Sequence, residues 1–198
     1  MTEHYYTAEP VSGHDERRFT EVILGNALSF VTDAGVFSRD GLDRGTEVLL
    51  DALPELSGRV LDLGCGWGAI GVTLALRYPE AQLVMSDVNE RAVGLARRNL
   101  ALNGARGEVV VSDGFAGLEG TFDHVVTNPP IRAGKQVIYG LFDGARERLR
   151  SGGSLNVVIR KQQGAPSALK HLQERFGQAD VVGRGGGYWI IRAVKSEM

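Results

Sequence analysis

Asn128-Pro129-Pro130 carries more potential chemistry than any other short stretch of this chain. It ends an apolar run, Phe122 to Val126, that reads as a buried strand. Two successive prolines remove two backbone donors and fix two φ angles. Each also pushes the residue before it into extended geometry. The product is a stiff loop that aims the Asn128 side-chain amide and the Pro129 carbonyl in one direction. Two acceptors pointed together suit an amino group, which has two N–H donors to give. The plainer reading is a rigid strand-to-helix turn, and the triplet alone does not choose between them.

Upstream lies a second feature. Gly64, Gly66 and Gly68 separate a short strand, Arg59 to Leu63, from a helix that Pro79 stops. Closely spaced glycines at such a turn let backbone approach a ligand. A further strand, Gln82 to Ser86, runs into Asp87, 19 residues after Gly68. That is the spacing at which a doubly wound fold sets a carboxylate on ribose hydroxyls. Asp87 also suits the start of a helix, where the dipole favours an acid. Asp62, just before the turn, either anchors it by accepting backbone N–H bonds or reaches a bound ligand indirectly. Cys65 reads as a small buried residue, not a nucleophile. Trp67 reads equally as a lid on the turn or as core. Asp123 and His124 read as structural.

Taken together, Asp62-Leu63-Gly64-Cys65-Gly66-Trp67-Gly68, Asp87-Val88 and Asn128-Pro129-Pro130 resemble the class I methyltransferases that use S-adenosylmethionine. The glycine spacing is GxGxG, which favours the methyl donor over a dinucleotide. The resemblance implies that Asp62, Gly64, Cys65, Gly66, Gly68, Asp87 and Val88 meet the cofactor. It implies that Ser112, Asp113 and Gly114 form the loop at the adenine. It makes Asn128, Pro129 and Pro130 the catalytic loop, with Asn128 also against the cofactor. That loop usually ends in an aromatic residue that stacks on the target base, and here it ends in Ile131.

The string Gly35-Val36-Phe37-Ser38-Arg39-Asp40-Gly41-Leu42-Asp43 is similar to a segment of the RsmC-like enzymes, which methylate the exocyclic amine of a guanine in ribosomal RNA. His4-Tyr5-Tyr6 and Gln163 to Ser167 fit the same group. The larger members carry a second, degenerate domain ahead of the catalytic one, and this chain is similar to the short branch. The substrate implied is ribosomal RNA or a ribosomal particle. Candidate substrate contacts are Phe37, Arg39, Arg44, Ile131, Arg132 and Lys135. Phe37 is the candidate to replace the missing aromatic, against a plain core role. The four basic residues would touch phosphates, against plain surface solvation. Methylation of a protein glutamine, DNA adenine or small amine shares the same loop chemistry. A nucleotide-binding oxidoreductase or a non-catalytic nucleotide module is the competing class.

The elements that must position these residues alternate along the chain. Strands are expected near 59–63, 82–86, 107–112, 122–127 and 154–160. Helices are expected near 46–53, 68–78, 90–102, 136–150 and 166–176. Asn89 can cap the third of these helices and Pro166 can open the last. Gly152-Gly153 is expected to end the fourth. Alternation of this kind predicts a parallel sheet with helices on both faces. A closing hairpin, near 179–183 and 188–193, turns at Gly185 to Gly187. A small hairpin, Arg18 to Leu24 and Ala27 to Val31, turns on Gly25-Asn26. Residues 1 to about 17 are expected to form an arm or loop. The expected fold is α/β, a Rossmann-like doubly wound and mostly parallel seven-stranded sheet ending in an antiparallel hairpin. Residues 1–198 are expected to be one domain, with an arm, hairpin and connector over 1–45 and the core over 46–198.

Composition sets the outer bounds. The 198 residues carry a net charge of −2, so no strong basic field advertises a nucleic-acid partner. The 27 glycines are about twice the usual share, as many strand-to-helix turns require. The single Cys65 rules out an intramolecular disulfide. His4, His14, His124 and His171 lack metal-ligand spacing, so no metal is expected. The absence of a long apolar run predicts a cytoplasmic protein without a membrane span.

Overall fold

The computed structural model describes residues 13–196, and His4-Tyr5-Tyr6 and most of the expected arm lie outside them. Strands β1 (Arg17–Ile23) and β2 (Asn26–Thr32) form the N-terminal hairpin. Its turn is Leu24-Gly25, not Gly25-Asn26, because Ile23 pairs with Asn26. Both turn residues take positive φ, 50° and 79°, as a two-residue turn matched to strand twist requires. Asn26 supports the turn by donating its side-chain N–H to the Leu24 carbonyl at 3.1 Å. The register sets Phe19 opposite Phe30, with ring centroids 6.0 Å apart.

After the connector 33–43 comes α1 (Arg44–Ala52), which stops ahead of Pro54. Alternation follows: β3 (Arg59–Leu63), α2 (Ala69–Arg77), β4 (Gln82–Asp87), α3 (Glu90–Leu102), β5 (Glu108–Val111), β6 (Phe122–Thr127), α4 (Lys135–Arg148), β7 (Leu149–Arg160), α5 (Ala165–Phe176), β8 (Gly177–Gly185) and β9 (Tyr188–Lys195). The main sheet has the order β5-β4-β3-β6-β7-β9-β8. The first five strands in that order are parallel, and β9 runs antiparallel to both neighbours.

One face of the sheet packs on α1, α2 and α3 through residues such as Leu49, Val72 and Ala96. The other packs on α4 and α5 through Phe142, Leu172 and Phe176. Both faces being covered explains the near-continuous apolar runs of the central strands. Gly152-Gly153 does not end α4. The helix stops at Arg148, and β7 runs through both glycines, opposite a slip in β6 between Phe122 and His124. A Cβ on Gly153 would stand 2.9 Å from the Asp123 carbonyl oxygen. The glycines therefore serve a strand irregularity and a close backbone approach, not a helix cap.

The small hairpin would leave its outer edge unpaired. Asn99 of α3 and Asn103, the residue that ends that helix, complete it. Asn99 accepts from the Val31 N–H at 2.8 Å and donates to the Val31 carbonyl at 2.9 Å. Asn103 does the same for Ser29 at 2.9 and 2.8 Å. Buried backbone groups need such partners.

Candidate active site

The chain lays β4 and β5 on one side of β3, then crosses to lay β6 and β7 on the other. Ligands of such sheets sit outside the strand C-termini where the order reverses. Four loop ends meet there in a row. Ser112 to Gly114 follow β5, Asp87 ends β4, the glycine turn follows β3, and Asn128 follows β6. Three strand steps separate the ends of this row, about 14 Å.

The glycine turn is held by backbone. The Gly64 and Cys65 N–H groups donate to the Ser86 carbonyl at 2.8 and 2.9 Å. Gly64 and Gly66 have φ of 73° and 55°, with open space where a Cβ would stand. Gly68 differs. It is buried, and a Cβ there would meet Met85 at 2.9 Å and the α3 backbone at Ala96 at 3.3 Å. Its structural service is close helix-to-sheet packing. Trp67 belongs to the core, edge-on to Phe19 and Phe30, and its indole N–H donates to the Ser38 carbonyl at 3.2 Å.

Both acids are bound into the turn. Asp62 Oδ2 accepts from the Gly71 N–H at 2.8 Å, while its Oδ1 is buried with no partner. Burial pushes the Asp62 carboxyl up to about 8, against the Gly71 N–H and with help from the negative Asp87. Asp87 is half-buried, and its oxygens accept from the Gly66 N–H at 2.8 Å and the Asn89 N–H at 2.9 Å. Burial raises this carboxyl too, opposed by the N–H groups of Asn89, Gly66 and Val88. Asp87 thus fastens the glycine turn and the start of α3 at once. Burial pushes the Cys65 thiol up as well, as an inert buried side chain requires. Ser112 spends its hydroxyl within its own loop, donating to the Gly114 carbonyl and accepting from the Gly117 N–H, both at 2.9 Å. Asp113 is exposed and Gly114 half-buried on the same loop.

The buried Thr127 hydroxyl donates to the Leu63 carbonyl at 2.7 Å, which locks the proline loop beside the glycine turn. A small cavity between them is lined by Phe37, Gly64, Asn128, Pro129 and Pro130. Phe37, 38% exposed, therefore stands on the connector across from the loop that lacks an aromatic. The connector is tied over the strand ends by Asn89, Arg91 and Trp67, which donate to the carbonyls of Gly35, Ala34 and Ser38. The Asn128 Nδ2 donates to Asp43 Oδ2 at 3.1 Å, to Asp43 Oδ1 at 3.3 Å and to Thr46 Oγ1 at 3.0 Å. Sequence reading passed over Asp43 and Thr46. The available signal was local: an acid at the N-cap of an apolar helix.

The remaining candidates scatter. Ile131 and Lys135 line a separate groove with Tyr139 and with Gln163 and Ser167 of the late segment. Lys135 lies over the Tyr139 ring at 5.2 Å, and Arg132 is exposed. Arg44 is exposed and pairs with Glu47 at 2.5 Å. Arg39 pairs with Asp15 and donates to its carbonyl at 2.9 Å, so it fastens the connector. Asp123 and His124 are structural: Asp123 accepts from the Arg59 N–H and from Arg150, and His124 meets Ser154. Among the described residues no cluster of His, Cys, Asp and Glu could hold a metal. No helix among them is long and apolar enough to cross a membrane.

Fold and site define a doubly wound α/β protein shaped to hold a nucleoside-bearing ligand across four strand ends. The chain belongs to the methyltransferase small domain family, whose pattern matches residues 27–192. Uncharacterized protein YbxB of Bacillus subtilis is 40% identical over 200 residues, 98% of this chain and 100% of that protein. Ribosomal RNA small subunit methyltransferase C of Escherichia coli K12 is 38% identical over 185 residues, 91% of this chain and 53% of the relative. The chain thus spans about half the length of that enzyme. The 16S rRNA N2-guanine methyltransferase RsmC of T. thermophilus, solved with AdoMet and guanosine, superposes with a TM-score of 0.80 at 30% identity. That match covers 94% of this chain and 52% of the other.

Proposed function

We propose that this protein transfers a methyl group from S-adenosylmethionine to the exocyclic amine of guanine in ribosomal RNA, in the cytoplasm, on the RNA or its ribosomal particle. The observation that carries the reading is the row of loop ends that terminates on Asn128. The residues present fit the cofactor. Gly64 and Gly66 leave open space, Asp62 Oδ1 is a buried polar atom without a partner, and Asp87 ends the neighbouring strand. Burial raises both acids, and a cationic group bound beside them would favour their charged forms. When bound, the cofactor supplies an electrophilic methyl on a sulfonium.

The weak partner in such a reaction is the amine, whose lone pair is shared with the ring. Asn128 Oδ1 and the Pro129 carbonyl would accept hydrogen bonds from its two N–H groups and make the nitrogen more pyramidal. The lone pair is then directed at the methyl, and one amine proton passes to water as the new bond forms. Phe37 would cover the base face that Ile131 leaves open. The prolines keep both acceptors fixed, so the rate gain is one of positioning and electrostatics. No residue need form a covalent bond to the substrate. Arg132 and Lys135 would meet the phosphates, with Arg44 exchanging its exposed partner.

The test is transfer of tritiated methyl from labelled donor into total RNA, protein and DNA from cells lacking the enzyme. Label in guanine of ribosomal RNA supports the proposal. Label in protein or DNA, or none in any fraction, overturns it.

A further inference from the structure

Asn128 can do this work only with its oxygen toward the amine. The two ends of a carboxamide have nearly the same size and shape, so packing does not choose between them. Hydrogen bonding must choose. Three oxygens converge on one end of the Asn128 amide: both of Asp43 and the Thr46 hydroxyl. A carboxylate accepts and has nothing to give. The Thr46 hydroxyl has one proton, and it goes to Asp43 Oδ2. Toward Asn128, then, the hydroxyl can only accept. An Asn128 flipped by half a turn would set its oxygen against three acceptors and satisfy none of them. Asp43 is itself held, because its Oδ1 also accepts the Gly45 N–H at 2.9 Å and the Thr46 N–H at 3.3 Å at the start of α1.

We propose that Asp43, acting through its own oxygens and Thr46, is a positioning residue that fixes Asn128 with the acceptor end facing the reaction cavity. The proposal rests on the reading of Asn128 as the partner of the substrate amine. It gives Gly41-Leu42-Asp43-Arg44-Gly45-Thr46 a task beyond capping a helix: this segment sets the polarity of a catalytic loop 85 residues away.

Asp43→Asn separates positioning from capping. Asparagine caps a helix as well as aspartate does. Its oxygen must stay on the Gly45 and Thr46 N–H groups, which leaves its NH2 facing Asn128. The two donors repel, and Asn128 turns its own oxygen inward and its NH2 to the cavity. Asp43→Ala instead loses the cap but lets Asn128 sample both orientations. The two variants should therefore rank in opposite orders. Asp43→Asn should melt close to wild type, bind S-adenosylhomocysteine normally and lose about a hundredfold in single-turnover methylation of transcribed small-subunit ribosomal RNA. Asp43→Ala should melt lower yet react faster than Asp43→Asn. In an Asn128→Ala background, Asp43→Asn should cost nothing more, since the two act as a unit. Wild-type rates in Asp43→Asn, rates that follow melting temperature, or effects that multiply would each overturn the proposal.

The side-chain amide of Asn128 supplies a readout free of activity. Its NMR signal is assigned by its loss in Asn128→Ala. Its protons should exchange slowly in the wild type and quickly in Asp43→Ala. If the wild type methylates no RNA, the functional reading fails by itself. Fast-exchanging Asn128 protons in the wild type would sink the positioning role whatever the substrate.

Discussion

Asp62 holds its proton where most carboxyls have lost theirs. Its folded value of about 8 stands well above the ordinary 3.8. Between those limits the unfolded chain has released the proton and the native chain still binds it. Stability from this group is then complete below about pH 4 and is lost as pH rises toward about 8. Asp62→Asn keeps an acceptor for the Gly71 N–H and should flatten that fall. Urea unfolding of the two apoproteins across this range checks it, and parallel slopes would reject the assignment. If Asp87 partners the ribose hydroxyls as proposed, Asp87→Ala should weaken cofactor binding by about ten- to a hundredfold, or roughly 1.5–3 kcal/mol, in calorimetry. Asn128→Ala should lower that affinity by much less than it lowers the rate. On the proposed mechanism its bonds matter as charge develops on the nitrogen, so single-turnover transfer should fall by about a hundredfold or more. A mere turn residue would do the reverse, lowering thermal stability and sparing the rate.

The N-terminal hairpin depends on α3 for its edge, and Asn99 is the joint. Its amide also donates to the Trp67 carbonyl at 2.7 Å, which couples β2 to the glycine turn. Asn99→Ala would orphan the Val31 N–H and carbonyl and the Trp67 carbonyl at a fully buried position. The expected cost is about 2–4 kcal/mol. For a chain of this size that lowers the melting temperature by roughly 5–15 °C. Calorimetry measures it directly, and a drop of less than about 2 °C would show that water or a neighbour replaces the side chain. The connector has a comparable dependence. It lies across the strand ends because Asn89, Arg91, Trp67 and Asn128 each hold one stretch of it.

We propose that residues 1–198 fold as one cooperative unit. Trp67 reports the hairpin side of the core and Trp189 the far hairpin of β8 and β9. The single-tryptophan variants Trp67→Phe and Trp189→Phe should show one common urea midpoint, and separate midpoints would divide the chain. The charge of the whole molecule shapes its meeting with RNA. With a net charge of −2 there is no long-range field to gather phosphates. Arg39 and Arg44 are each paired with an acid, so Arg132 and Lys135, with Arg44 exchanging its exposed partner, are the proposed contacts. Two to three neutralised phosphates on a duplex-like site give a log–log salt slope of about −2 to −3. A flat response would remove backbone contact and favour a protein or small-molecule substrate.

Order along the chain and local chemistry are legible in the sequence itself. The parallel strands, the glycine turn, Asp87 at a strand end and Asn128-Pro129-Pro130 depend on residues within a few positions of each other. Period, proline and glycine act over that range. The cap at Asn89 was legible for the same reason, since its side chain accepts from Arg91 and Ala92 nearby. What folding decided depends on partners distant in sequence. Gly152-Gly153 resembles a helix stop, but the approach of Asp123 turned it into part of a strand. Leu24 takes a positive φ because the pairing of Phe19 with Phe30 sets the turn. Arg39 reads in the sequence as a solvated surface cation, but the fold brings Asp15, 24 residues away, beside it. Asp43 and Asn128 meet across 85 residues. No local rule links them, because a carboxylate and an amide show complementarity only when the fold sets them face to face.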